Sequence, residues 1–160
     1  MEKGTTYAQD IIEITIPAGN TSLKINIPDQ PNLRNVQLVG MQIFDVTTQT
    51  KSILTGNALC SKADLTKMAI TFCDYKGFEF LKYAPALSFR TIDSVTAANG
   101  ENAGNIERNA KLFKGQIVNF PKSYISLTEV LGNVAPLAVY IAISYYSKND
   151  ASATTYFAKK

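Results

Sequence analysis

Neither histidine nor tryptophan occurs in these 160 residues. Without histidine the chain lacks the commonest general base near neutral pH and the commonest metal ligand. Ser-His-Asp and Cys-His nucleophile pairs are thereby excluded within one chain. Without tryptophan it lacks the largest aromatic stacking face, so eight Phe and eight Tyr carry the aromatic load. Charge is sparse as well: 18% of residues are Asp, Glu, Lys or Arg, against ~25% in an average soluble domain. A surface short of charge suits a protein partly covered by other subunits. The net charge is +3, and the basic residues are scattered, with Lys159-Lys160 the only terminal cluster. An arm that binds nucleic acid concentrates Lys and Arg, because each neutralised phosphate adds affinity, so direct nucleic-acid contact is not expected. No stretch approaches the ~20 apolar residues of a membrane-spanning helix. Met1 to Asp10 carries no apolar core of a secretory signal. The expectation is a chain made in a cytoplasm that stays soluble or assembles.

Cysteine is scarce too. Cys60 and Cys73 are the only two, and they lie thirteen positions apart. They form no short-spacing ligand pair, and two thiols alone do not complete a zinc site. They read as two buried thiols acting as small hydrophobes. A disulfide between them needs an oxidising compartment. The P-loop and dinucleotide-binding glycine patterns are both absent, so nothing cradles a phosphate.

What the chain does have is alternation. Ile12, Ile14 and Ile16 recur at period two, and so do Leu23, Ile25 and Ile27. The short Pro17-Ala18-Gly19-Asn20 connection predicts a hairpin between the two runs. Val36 to Val46 is apolar on both faces, which predicts a central or covered strand, and Gly40 within it predicts a bulge. Ser61 to Lys67 fits one helical turn. Met68, Ile70 and Phe72, then Asp74-Tyr75-Lys76-Gly77, then Phe78, Phe80 and Leu81 make the clearest hairpin in the chain. Leu87, Phe89 and Thr91 suggest a short strand, and Lys111 to Phe120 regains strand character. Tyr124, Ser126 and Thr128 alternate with Ile125 and Leu127, and Gly132-Asn133 signals a turn. Leu137 to Tyr146 is the longest strand, with a bulky face (Leu137, Val139, Ile141, Ile143, Tyr145) and a slimmer one left to pack against a neighbour. Thr154 to Phe157 is a candidate edge strand. Regular short strands without a long helical period predict an all-β, antiparallel β-sandwich, a single jelly roll of about eight strands. It is expected to form one domain over residues 1–160, with extended segments at 1–10 and 148–160.

Candidate chemistry is thin. Glu79, Asp93, Glu101, Glu107 and Glu129 are carboxylates from which a glycosidase pair would have to come, and nothing in the sequence brings two together. Asp93, Asn99, Glu101, Asn102, Asn105 and Glu107 form an oxygen-rich segment of the kind that wraps calcium, but its spacing matches no EF-hand. Tyr75, Tyr83, Tyr124, Tyr140, Tyr145, Tyr146 and Tyr156 offer stacking surfaces for a carbohydrate, or alternatively half-buried rings on sheets and at interfaces. No catalytic, cofactor or metal residue is assigned, and the chain reads as a non-enzyme.

The run Ile14-Thr15-Ile16-Pro17-Ala18-Gly19 leads to a strand ending Ile27-Pro28, then to Leu33-Arg34-Asn35-Val36-Gln37-Leu38-Val39-Gly40. Late in the chain Gly115-Gln116-Ile117-Val118-Asn119-Phe120-Pro121 precedes the long apolar strand. This layout resembles the small single jelly-roll structural proteins of viral capsids, bacteriophage ones in particular. The resemblance spans most of the chain, matches no diagnostic motif and carries over no functional residue. It implies a virion protein at a capsid vertex (penton) or a minor capsid component, assembling through homo-oligomeric contacts and with other capsid proteins. The absent basic N-terminal arm departs from many nucleocapsid jelly rolls and points to shell-building or decoration. The expected contacts are residues 1–10, 97–105 and 148–160. The alternative is a carbohydrate- or receptor-binding β-sandwich module of a spike or fibre.

Overall fold

The computed structural model describes residues 7–34, 36–90 and 117–146. Within them the chain runs β1 (Tyr7–Ile16), β2 (Lys24–Asn26), β3 (Gln37–Phe44), β4 (Ala58–Leu59), a one-turn helix α1 (Lys62–Leu65), β5 (Met68–Phe72), β6 (Leu81–Pro85), β7 (Tyr124–Leu127) and β8 (Leu137–Tyr146). Three short 3-10 turns interrupt it at Pro31–Leu33, Ala86–Phe89 and Phe120–Lys122.

The strands form two sheets. In the first the order is β1-β8-β3, both pairings antiparallel, and β4 extends the β3 side by a short parallel pairing with the start of β8. In the second the order is β2-β7-β5-β6, antiparallel throughout. The alternating isoleucines explain the packing. Ile12 and Ile43 flank Ile141 across the first sheet, and all three are buried. Ile70 and Ile125 face them from the second sheet within one continuous apolar core. The fold is therefore an all-β, two-sheet sandwich.

Several local expectations hold. Met68–Phe72 and Leu81–Pro85 pair as the predicted hairpin, and its turn uses Gly77 at φ +85°, a conformation that disfavours any side chain. Asp74 Oδ1 accepts from the backbone N–H of Lys76 and of Phe78 and so fastens that turn. Ser61 caps α1 in a reciprocal box with Asp64, with bonds of 3.1 and 3.0 Å. The register slips between Leu38 and Gly40, as the glycine suggested. The slip moves the inward phase from Leu38 to Met41 and Ile43, so one strand feeds the core from both of its sequence faces.

Four expectations are overturned. The runs around Ile14 and Ile25 do not form a hairpin: β1 pairs with β8 and β2 with β7, in different sheets. Their connection crosses from one sheet to the other: β1 gains the ten-residue β8 as its partner and β2 the four-residue β7. Of the two readings of Val36 to Val46, central or covered, the central one fails: among the described residues β3 is the outer strand of its sheet, beyond a central β8, with no residue of it exposed. Leu87 and Phe89 lie in a 3-10 turn rather than a strand, with Phe89 anchored in the core. The strand predicted over 111–120 is not formed at 117–120, where the chain is irregular and then turns at Phe120–Lys122; residues 111–116 lie outside the described residues. Thr91 and the strand predicted at 154–157 also lie outside them.

The slimmer face of β8 is not left open. Ala138, Tyr140, Ala142 and Ser144 are all buried within this one chain. Phe44 meets Tyr140 edge-on at 6.2 Å between ring centroids. Glu13, opposite Tyr140, accepts from the hydroxyls of Ser52 at 2.7 Å and Thr55 at 2.5 Å, which ties loop 45–57 to the outside of the sheet. Among the described residues no helix is long and apolar enough to cross a membrane.

Candidate functional site

The sandwich has two unlike ends. At one, the β1–β2 and β7–β8 loops join through Gly19 N–H to Asn133 O at 2.9 Å and through Asn133 Nδ2 to Pro17 O at 3.0 Å. Loop 45–57 reaches the same end, where β4 lies beside the start of β8. Leu23, Val46, Ile53, Leu54, Val130 and Val134 are exposed on these loops. Their exposure is large: Ile53 is 82% and Val134 97% exposed.

The other end is polar and aromatic. The β5–β6 turn and the segment entering β7 enclose an open cleft of about 440 Å3. Tyr75 and Tyr124 supply its rings, Asp74 and Glu79 its carboxylates, Lys76 and Lys122 its ammonium groups, and Asn119 an amide. The register explains the grouping. Tyr124 lies opposite Thr71 on the outward phase of β7, because Ile125 occupies the core. On β6 two residues, Lys82 and Tyr83, stand against Thr71 alone, since Ile70 pairs with Ala84 and Phe72 with Leu81. The bulge puts Tyr83 at φ +50°, a genuine outlier for a bulky side chain. Its N–H, turned out of the ladder, donates to Thr71 Oγ1 at 3.1 Å.

Tyr83 and Tyr124 meet edge-to-face with centroids 6.4 Å apart. Lys24 Nζ sits 4.3 Å from the centroid of Tyr124. The Tyr124 hydroxyl donates to Glu79 Oε2 at 3.1 Å. Its pKa is pushed up to about 12, first by hydrogen bonding with Tyr83, then by desolvation and by Glu79, against an opposing bond with Thr71. The phenol therefore stays protonated and remains a donor at neutral pH.

The sequence candidates divide. Of the tyrosines, Tyr75, Tyr83 and Tyr124 gather at this end, Tyr140 is buried, Tyr145 and Tyr146 are half-buried on the first sheet, and Tyr156 lies outside the described residues. Of the carboxylates, Glu79 lines the cleft, while Glu129 pairs with Lys67 at 3.2 Å at the opposite end. Those two are not brought together. Asp93, Asn99, Glu101, Asn102, Asn105 and Glu107 lie outside the described residues, and so does the loop 97–105. Cys60 and Cys73 are both free and buried. Burial, helped by Asp64, pushes the Cys60 thiol up to about 12. Burial also raises Cys73, with Glu79 and Asp74 adding to it and the Ser123 hydroxyl opposing. Among the described residues no three His, Cys, Asp or Glu side chains converge as metal ligands.

Two groupings escaped the sequence reading. Asn119 joins the cleft from a segment expected to be a strand, and Lys122 from the turn just after it. Asp45, fully buried, pairs with Arg90 (Nε to Oδ2, 2.5 Å) and accepts from the backbone N–H and hydroxyl of Thr47. A single acid between Phe44 and Val46 in an apolar run was the available signal. Comparisons of the chain with protein-family models, with curated proteins and with solved structures return no match.

Proposed function

We propose that this chain is a structural subunit of a virion, at a capsid vertex or as a minor capsid component, and that its sandwich is a single jelly roll. The strand order supports the fold reading. In a jelly roll of two interleaved Greek keys, the first, eighth, third and sixth strands share one sheet, and the second, seventh, fourth and fifth share the other. With the two-residue β4 set aside, the orders β1-β8-β3 and β2-β7-β5-β6 follow that scheme. The place beside β3 is not filled by any described strand.

The observation that carries the functional reading is the apolar loop end. Isolated exposed aliphatic side chains are ordinary; several on adjoining loops at one end mark a surface meant to be covered. The occupant is a second copy of this chain, consistent with the low overall charge. Apolar residues there would be buried between neighbours around a vertex, and closed rotational symmetry would hide sheet edges that otherwise invite pairing.

The test is the mass of the purified chain by sedimentation velocity and native mass spectrometry. A concentration-dependent closed oligomer is expected. The exchanges Ile53→Asp and Val134→Asp should each return it to monomer with unchanged circular dichroism. A chain that stays monomeric at all accessible concentrations and is missing from purified particles refutes the proposal.

A further inference from the structure

The geometry points to the cleft between the β5–β6 turn and the entry to β7 as a binding site for a neutral saccharide. Its volume of about 440 Å3 lies within the ~300–1,000 Å3 typical of small-ligand sites. Its charges cancel: Asp74 and Glu79 oppose Lys76 and Lys122. A phosphate, a nucleotide or a metal cation would require an excess of one sign, and the cleft has none. What it offers is both kinds of hydrogen-bonding partner beside aromatic rings. Glu79 accepts, the two ammonium groups donate, and the Asn119 amide does both. No hydrogen bond recorded among the described residues engages the Asn119 amide or either ammonium group. A sugar is the ligand that uses all of these at once, since each hydroxyl both donates and accepts. Its apolar C–H face would lie on Tyr75, which is 55% exposed.

The surroundings are pre-set for such a ligand. Tyr124 fixes Glu79 through its hydroxyl bond, and Lys24 and Tyr83 fix the Tyr124 ring in turn. Tyr83 is held at positive φ, and backbone strain of this kind concentrates at ligand sites. A carboxylate and a ring fixed before binding reduce the ordering cost that otherwise weakens sugar recognition. The inference stands apart from the shell reading, because the cleft and the apolar loops occupy opposite ends of the sandwich.

The experiment is a titration of the full isotope-labelled chain with glucose, galactose, mannose, N-acetylglucosamine and, as an anionic comparator, inorganic phosphate, followed by amide chemical shifts. At least one sugar should give saturable shifts confined to residues 73–79 and 119–124, with a millimolar Kd, about 1–10 mM. Tyr75→Ala and Glu79→Gln should each weaken that binding about tenfold, while Lys62→Ala on α1, outside the cleft, leaves it unchanged. The same spectra report whether each variant is folded, and Lys76→Ala, on an exposed turn, provides a second check. The proposal is overturned if none of the four sugars shifts the cleft, if only phosphate does, or if folded Tyr75→Ala and Glu79→Gln bind as well as the parent.

Discussion

Replacing Asp45 with Ala tests whether the buried acid stabilises the fold. Asp45 has no exposed surface, and Arg90, its partner, retains 17% of its side-chain exposure. The exchange deprives Arg90 of this carboxylate, and Thr47 of the acceptor for both its N–H (2.9 Å) and its hydroxyl (2.5 Å). Breaking a fully buried ion pair costs about 3–5 kcal/mol, because the remaining charge stays desolvated. Arg90 reaches some water, so the lower part of that range applies, about 3 kcal/mol. With a urea slope of about 2 kcal/mol/M, the midpoint should fall by about 1.5 M. The pH dependence gives an independent check. Burial is the largest influence on Asp45 and opposes its charge, but the bonds from Thr47 and Arg90 together outweigh it, so its pKa is lowered. A lowered acid stabilises the fold above its unfolded value, about 3.9, and loses that contribution as the pH falls through the folded value below it. The gap between the parent and Asp45→Asn should therefore be constant from pH 5 to 8 (roughly) and close in stronger acid. A loss under about 0.5 kcal/mol, or a double-mutant cycle with Arg90→Ala that shows no coupling, would refute this account of the pair.

Ile141→Ala should cost about 3–4 kcal/mol in denaturant unfolding, since Ile141 sits between Ile12 and Ile43 in the middle of the core; a loss below about 1 kcal/mol would mean the site collapses around the gap. At Gly77 a Cβ meets nothing within 4 Å, so Gly77→Ala tests conformation alone; about 1 kcal/mol of destabilisation is expected at φ +85°, read by thermal melting, and no change would contradict the left-handed turn. Cys60, buried and with its pKa near 12, should resist a disulfide reagent at pH 8 (about one thiolate in ten thousand) and react once the chain is unfolded; rapid labelling of native Cys60, mapped by peptide mass, would contradict its burial.

The isoleucine alternation, the Asp74–Gly77 turn, the Gly40 irregularity and the helical turn within Ser61 to Lys67 were all legible because each is a local event with a local residue signature. Partner choice was not. Period two says that Ile12, Ile14 and Ile16 share a face, but it does not say which strand lies beside them, and the nearby Leu23–Ile27 run was the wrong neighbour. The outward phase of Tyr124 was readable from Ile125 and Leu127. Its meeting with Tyr83 was not, since that depends on an extra residue in β6 facing Thr71. Likewise Asn119 entered the cleft through a turn that strand-like composition concealed. Tyr140 shows the converse: a ring read as either a stacking surface or a half-buried sheet residue is buried, because Phe44 and the Glu13–Ser52 contact close over the outer face of β8.

The position of β8 at the centre of the first sheet has a consequence for how the chain acquires its structure. Tyr7–Ile16 emerges from the ribosome early, yet its ladder partner is Leu137–Tyr146, and Gln37–Phe44 depends on the same strand. Until that strand arrives, the apolar faces of β1 and β3 have no sheet to join. Pairings this distant close large loops before any contact rewards them, so folding should be slow and should wait on synthesis of β8. During that interval the nascent chain carries two unpaired strands with exposed apolar faces, which favours pairing between neighbouring chains.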